Sequence, residues 1–399
     1  MKKAGRIISI PLLCIAMVSM IFDSKTAILG AQDGLELCVQ TVVPSLFPFM
    51  VISTILTNAL IGYNLPIIKQ LARFCKMAPG TEGLLFMGLV GGYPVGAKCV
   101  YDSWKSGQIS KEDASRYLGF CSNAGPAFIF GICGSLFQNQ LDVWFLWGIH
   151  ILSALLVGRV INEERNSAKY TVQKSSVSFQ EAIKNAANAM TSVCIWVVLF
   201  RVIIAFLRRW LLWLLSTEWR SLCEGILELT NGCATLFYVH CDGIKFLLCA
   251  MFLGFGGLCV ALQTVSVVGE LGTGMYFPGK IIQGIISAAL AGLYASLRYH
   301  ICSPAIPLVA MIVLITLAFM KKTVDFPRRF VYNEENYCEG ENQCYSVRKL
   351  QSPAAIVPVE QKSMTNKSFA LKEVLYPRTP SAASSYTTLA SESPLSPRQ

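Results

Sequence analysis

The chain has 399 residues, of which 53% are hydrophobic and only 15% charged, with a formal net charge of +10. A soluble domain carries roughly 25% charged residues, so that composition, with a mean hydropathy of +0.50, excludes a soluble globular protein and reads as an all-α polytopic membrane protein. The positive charge does not point to nucleic acid, because Lys and Arg gather at the cytoplasmic edges of membrane proteins and no nucleic-acid-binding motif occurs.

Residues 1–30 begin with Lys2, Lys3 and Arg6 and run apolar to Phe22. No small-residue cleavage site follows cleanly, which favours a first anchor helix over a signal peptide. Residues 31–43 are amphipathic, with Asp33, Glu36 and Gln40, and lead into an expected span, 44–61, bent at Pro44 and Pro48. Lys69, Arg73 and Lys76 then alternate with Ile68, Leu71 and Phe74, as in a short helix lying at a membrane surface.

The stretch at 83–103, GLLFMGLVGGYPVGAKCVYDS, is apolar yet interrupted by Gly91, Gly92, Pro94 and Gly96 and followed closely by Lys98. Pro94 removes a backbone donor and glycine favours unwound chain. Such backbone is tolerated at membrane depth only where protein or a water-filled cavity surrounds it. A broken or re-entrant helix of the transporter type is one reading; a kinked helix packed through its glycines is the other. After a polar turn, Ser110 suits an N-cap with Asp113 three residues on. A second interruption follows at Ser122, Asn123, Gly125 and Pro126, and 143–161 is an ordinary span. Residues 31–161 form the first half, and the charged stretch 162–178 reads as a linker.

The second half, 179–320, repeats this order. An amphipathic lead at 179–190 runs into 193–215, where Arg201 should face the interior or a cavity, since a charge in lipid is costly. An amphipathic segment closes on ELTNG, 228–232. The stretch at 246–268 carries Gly254, Gly256, Gly257 and the polar pair Gln263 and Thr264, and 281–297 and 305–320 read as plain spans. Laying Gly91-Gly92 over Gly256-Gly257 sets Lys98 opposite Gln263. Paired interrupted segments in two halves are the best sequence-level pointer to a solute site. Seven to nine membrane segments are expected in all. A topology of inverted halves leaves Lys321, Lys322, Arg328 and Arg329 outside, against the positive-inside rule, so one segment is miscounted. Residues 321–399 read as a disordered tail.

The site candidates are Gly91, Gly92, Pro94, Lys98, Asn123, Gly125, Glu228, Asn231, Gln263 and Thr264. Unwound carbonyls and N–H groups bind ions or polar atoms, Asn and Gln offer donors and acceptors together, and Glu228 supplies a charge for proton or sodium coupling. Competing readings place Lys98 at the rim beside Asp102, and Asn123 and Asn231 as helix caps. The 15 Cys show no CxxC pair, many lying in apolar runs as small buried hydrophobes. Three scattered His argue against a His-based metal cluster, and neither cofactor nor metal is expected. No HExxH, Walker A or Ser/His pattern points to an enzyme. The expected partners are the lipid bilayer and a small polar solute or ion, with no nucleic acid; a homo-oligomer is left open.

VVPSLFPFMVIS, GLVGGYPVGAK, GQISKEDASRYLGFCSNAGPAFIFG, ELTNG and GFGGLCVALQT, in that order, resemble the sporulation integral membrane protein YlbJ family, across roughly residues 30–300. The resemblance implies a multi-pass inner-membrane protein of endospore-forming bacteria with a nucleoside-recognition, or Gate, domain. Gate domains are in turn similar to the hairpin core of concentrative nucleoside transporters and to the membrane part of ferrous iron transporters. A secondary transporter or channel-like protein is the expected function. A membrane scaffold for spore envelope assembly is the alternative.

Overall fold

A computed structural model describes residues 2–60, 66–162 and 178–299, with two short pieces at 336–338 and 344–346. The chain divides into two compact units, Met1–Asn333 and Glu334–Gln399. In the second, β1 (Asn336–Cys338) and β2 (Cys344–Ser346) pair antiparallel, with Tyr337 opposite Tyr345. The rest of the expected tail, the expected span 305–320 and nearly all of the linker 162–178 lie outside the described residues.

The first unit is helical throughout its described residues. The segment expected to be a first anchor forms α1 (Lys2–Phe22), of which Leu13–Phe22 is a short apolar helix. Next, α2 (Ser24–Leu37), capped by Asp23, passes through a π-helical turn (Cys38–Val42) into α3 (Val43–Leu60). Pro44 has no N–H to give, and a π turn lets the hydrogen-bond ladder re-register around the gap. The lead and the span expected as separate parts are therefore one continuous rod, and the expected boundary at residues 30/31 falls inside α2. The segment expected to lie at the membrane surface forms α4 (Pro66–Phe74).

Next come α5 (Glu82–Val90), α6 (Val95–Lys105), α7 (Lys111–Tyr117), α8 (Pro126–Gly131) and the long α9 (Gln140–Ile161). The second half runs α10 (Phe179–Trp210), α11 (Thr217–Leu227), α12 (Leu229–Leu236), α13 (Asp242–Phe255), α14 (Gly257–Val268) and α15 (Tyr276–Arg298). Ser110 caps α7 by accepting the Asp113 N–H at 3.1 Å, the arrangement expected from the sequence. Among the described residues, five stretches are long and apolar enough to cross a membrane: Ser24–Leu56, Gln140–Ile161, Phe179–Trp210, Asp242–Leu271 and Tyr276–Arg298.

The interruptions are of two kinds. α5 and α6 pack against each other, as do α11 and α12, so each pair turns back at its break as a hairpin. α7 with α8, and α13 with α14, share almost no contact, so those breaks interrupt without folding back. Glycine makes both hairpins possible. A Cβ on Gly96 would overlap the Cys121 carbonyl, which is seated between Gly88 and Gly96, and one on Gly232 would overlap Gly225. Gly91-Gly92 thus stands at a hairpin tip, whereas Gly256-Gly257 interrupts a span. In chain order, α5–α6 is followed by a break at residues 118–125, and α11–α12, with Glu228 at its tip, is followed by the break at Gly256-Gly257. Lys98 is not the counterpart of Gln263.

Three buried clusters hold the unit together. One gathers Leu85, Val100, Tyr117, Phe120, Val157 and Tyr276; a second gathers Ile129, Leu146, Leu236, Phe246 and Phe252; a third joins Val42 and Met50 to Ala186 and Met190 of α10. In the absence of a hydrophobic driving force between helices in lipid, close packing and internal hydrogen bonds carry such a bundle.

Candidate functional site

The four interruptions converge. Gly92, in the left-handed region at φ +77°, lies against Gly125, so the first hairpin tip touches the break between α7 and α8. Gly256 (φ +84°) faces the Tyr93 hydroxyl, and Gly257 (φ +80°) faces Leu229 and Glu228, so the break in α13–α14 meets both hairpin tips. An L residue is strained at such φ values, which is why glycine stands there.

Between these tips is a cavity of about 60 Å3, lined by Gly91, Gly92, Tyr93, Ala124, Gly125, Glu228, Thr230 and Gln263, with an apolar wall of Val42, Met50, Val193 and Val197 from α3 and α10. That volume suits a few waters or an ion and is small beside the roughly 300 Å3 or more of a pocket for a drug-sized organic ligand.

The polar groups around it are arranged differently on its two sides. On the second-half side, Glu228 stands between α11 and α12 in extended conformation. Its carboxylate accepts the N–H of Thr230 at 2.9 Å, the N–H of Asn231 at 2.6 Å and the Asn231 side-chain amide at 2.7 Å. It thereby caps α12, satisfying donors that the helix start leaves free. Arg201 donates to Asn231 and to Asp33 at 3.4 Å, so it faces the interior. Deeper in the hairpin, Arg208 grips the fully buried Glu224 with two nitrogens, each at 2.6 Å, and the Thr235 hydroxyl also donates to Glu224. Bidentate pairs of this kind are the strong ones.

On the first-half side the charge is cationic and has neutral partners only. Lys280 of α15 is 1% exposed. Its Nζ donates to Gln283 Oε1 at 2.6 Å and lies 3.2 Å from both Asn123 Oδ1 and the Tyr93 hydroxyl oxygen, and 5.1 Å from the centre of the Tyr93 ring. Gln283 donates to Asn123 at 2.9 Å, and Asn123 donates to the carbonyls of Gly88 (3.0 Å) and Phe120 (2.7 Å). The Tyr93 hydroxyl in turn donates to the Leu253 carbonyl at 3.1 Å. No carboxylate among the described residues pairs with Lys280. Tyr93, which lines the cavity, is the link between it and this lysine.

Of the residues singled out in the sequence, Gly91, Gly92, Gly125, Glu228 and Gln263 line the cavity. Asn123 and Asn231 are buried behind it as network members, and neither is a helix cap. Pro94 precedes α6 at its N-cap position, and Thr264 is buried outside the lining. Lys98 makes an exposed i,i+4 pair with Asp102 at 3.0 Å and is not among the lining residues, in keeping with the rim reading. Tyr93, Lys280 and Gln283 went unnoticed in the sequence. Starting the last described span at Ile281 placed Lys280 just outside it. Starting at Tyr276 puts an ionisable residue inside a span, which is a functional signal in itself.

No protein-family model matches the chain, and no solved structure matches it. Over 165 residues the chain is 29% identical to the sporulation integral membrane protein YlbJ of Bacillus subtilis (strain 168), a match spanning 40% of this chain and 40% of that protein. The likeness to YlbJ carried by the motifs is thus found over part of the length. With five membrane-capable stretches and an integral membrane protein as its relative, the chain is a multi-pass membrane protein.

Proposed function

We propose that the protein moves a small polar solute or ion across the membrane as a secondary transporter or channel-like protein, with its site between the two hairpin tips, and that it does so in endospore formation. The observation that carries this reading is the cavity bounded by interrupted helices from both halves, with Glu228 and Gln263 at its wall. Polar backbone at membrane depth is costly unless it serves a cavity, and a plain anchor has no use for four such interruptions. The two halves are read as a repeat, each supplying one hairpin and one broken span around a shared centre. The cation on α15 and the carboxylate of Glu228 supply the charges that a coupled carrier needs. The cavity volume favours an ion as cargo in the arrangement seen. A nucleoside, as the Gate resemblance implies, requires the hairpins to part. No catalytic chemistry is proposed.

The test is flux into proteoliposomes loaded with the purified chain, screened with nucleosides, divalent metal ions and small organic acids. At least one class should enter faster than in protein-free vesicles, and Gln263→Leu should slow it. Flux equal to the protein-free control for every class, with normal spore formation lost in a deletion strain, overturns transport and leaves the scaffold reading.

A further inference from the structure

Three thiols meet away from the cavity just described. Cys133 lies in the 3-10 turn that follows α8, Cys233 in α12 and Cys249 in α13. Each is at most 1% exposed. Their sulfurs lie within 4.8 Å of one another, with Cys133 and Cys233 at 3.8 Å.

Buried thiols elsewhere in the chain behave differently. Cys75 donates to the Leu155 carbonyl at 3.5 Å, Cys38 to the Cys194 carbonyl at 3.8 Å, and Cys259 accepts from Gln263 at 3.3 Å. Those are thiols acting as small apolar groups with one weak hydrogen bond. In the trio, sulfur faces sulfur, and three separate elements supply the side chains.

The spacing has a chemical meaning. A sulfur–sulfur bond is about 2.05 Å, so 3.8 Å is an unjoined pair. Three thiolates around one ion, with metal–sulfur bonds of about 2.3 Å in a plane, sit about 4 Å from one another. In the triangle of Cys133, Cys233 and Cys249 one edge is 3.8 Å and the other two are no longer than 4.8 Å, within a small shift of that size.

We propose that these three cysteines bind one soft, three-coordinate metal ion, of the monovalent copper class. All-sulfur ligation selects soft ions. No His, Asp or Glu joins the group among the described residues, so the tetrahedral set that a structural zinc takes is not provided. The same buried cluster holds Ile129, Leu236, Phe246 and Phe252, which leaves little room for water as a fourth ligand. On binding, three S–H protons pass to water as three sulfur–metal bonds form, and the ion keeps its oxidation state. The ion would tie the second hairpin to α13 and to the turn after α8. The inference stands independently of the transport reading.

The experiment titrates the reduced, detergent-solubilised full chain with Cu(I) under anaerobic conditions, against bicinchoninate as competitor. About one equivalent should bind, with X-ray absorption giving three sulfurs at about 2.3 Å. Binding should weaken by about 100-fold or more in Cys133→Ser, Cys233→Ser and Cys249→Ser and stay unchanged in Cys75→Ser. Cu(I) should also raise the Tm of the unsubstituted chain but not that of a Cys133/Cys233/Cys249→Ala triple variant. The unsubstituted chain decides the matter alone if the variants fail to fold. No tight equivalent, a nitrogen or oxygen ligand in the absorption spectrum, or a Cys133–Cys233 disulfide in the isolated protein overturns the proposal.

Discussion

The two hairpins differ in how their surroundings handle charge. Around α11–α12 the two buried acids are matched: Glu224 is held by Arg208 and Thr235, and Glu228 by the N-terminus of α12. Around α5–α6 the buried ammonium of Lys280 is held by an amide oxygen from each of Asn123 and Gln283 and by a phenol. A buried ion pair that is fully hydrogen-bonded is a structural solution. A buried ammonium without a counter-ion is one whose protonation or partner can change, and such groups inside membrane spans mark function. The contrast gives framework work to Glu224, a double part as helix cap and cavity wall to Glu228, and an unpaired working charge to α15.

The sharpest way to break this contrast is Lys280→Met. The change removes an ammonium that is costly to bury but leaves the Gln283 oxygen without its lysine donor, so the Tm in detergent should change little while solute flux in proteoliposomes drops about tenfold or more. A variant that loses Tm and flux together would make Lys280 framework instead. Next in size is Glu224→Ala, which strands Arg208 beside a buried gap. Breaking a buried pair costs roughly 3–5 kcal/mol, and the 37% exposure of the Arg208 side chain puts the expected loss at the low end, read as a drop in thermal stability with the remaining folded fraction still active. Glu228→Ala removes an N-cap and should cost about 1–2 kcal/mol. Because Glu228 also lines the cavity, its flux should fall further than its stability does, whereas Glu228→Gln, which still offers an oxygen to the cap, should lose less stability. The smallest effect belongs to Lys98→Gln. An exposed i,i+4 pair contributes about 0.3–0.5 kcal/mol, so Tm and flux should both stay near those of the unsubstituted chain; a large flux loss would return Lys98 to the site.

Much of this arrangement was legible beforehand because glycine and proline inside apolar runs have few uses. Gly91, Gly92, Gly125 and Gly256 advertise interrupted backbone whatever the neighbours are. Whether an interruption folds back is another matter. Gly91-Gly92 and Gly256-Gly257 look alike in one dimension, but the first turns around the Cys121 main chain, while the second breaks a span whose two parts part company. That depends on a partner far away in sequence, and the register that set Lys98 opposite Gln263 failed for this reason. Lys280 was hidden by a boundary choice of a few residues at the start of α15. Asn123 was found for its chemistry, though its partners, an ammonium and an amide 157 and 160 positions away, leave no trace in local pattern.

What each hairpin closes on sets how easily it can loosen. The first is held open by main chain, the Cys121 carbonyl against Gly88 and Gly96, and peptide planes have no rotamers with which to yield. The second closes directly, Gly232 against the Gly225 main chain, with the ring of Phe252 lying over both, and an aromatic side chain can swing about χ1. If one arm swings aside to admit cargo, it is the one carrying Glu228, while the other stays put as the stationary jaw.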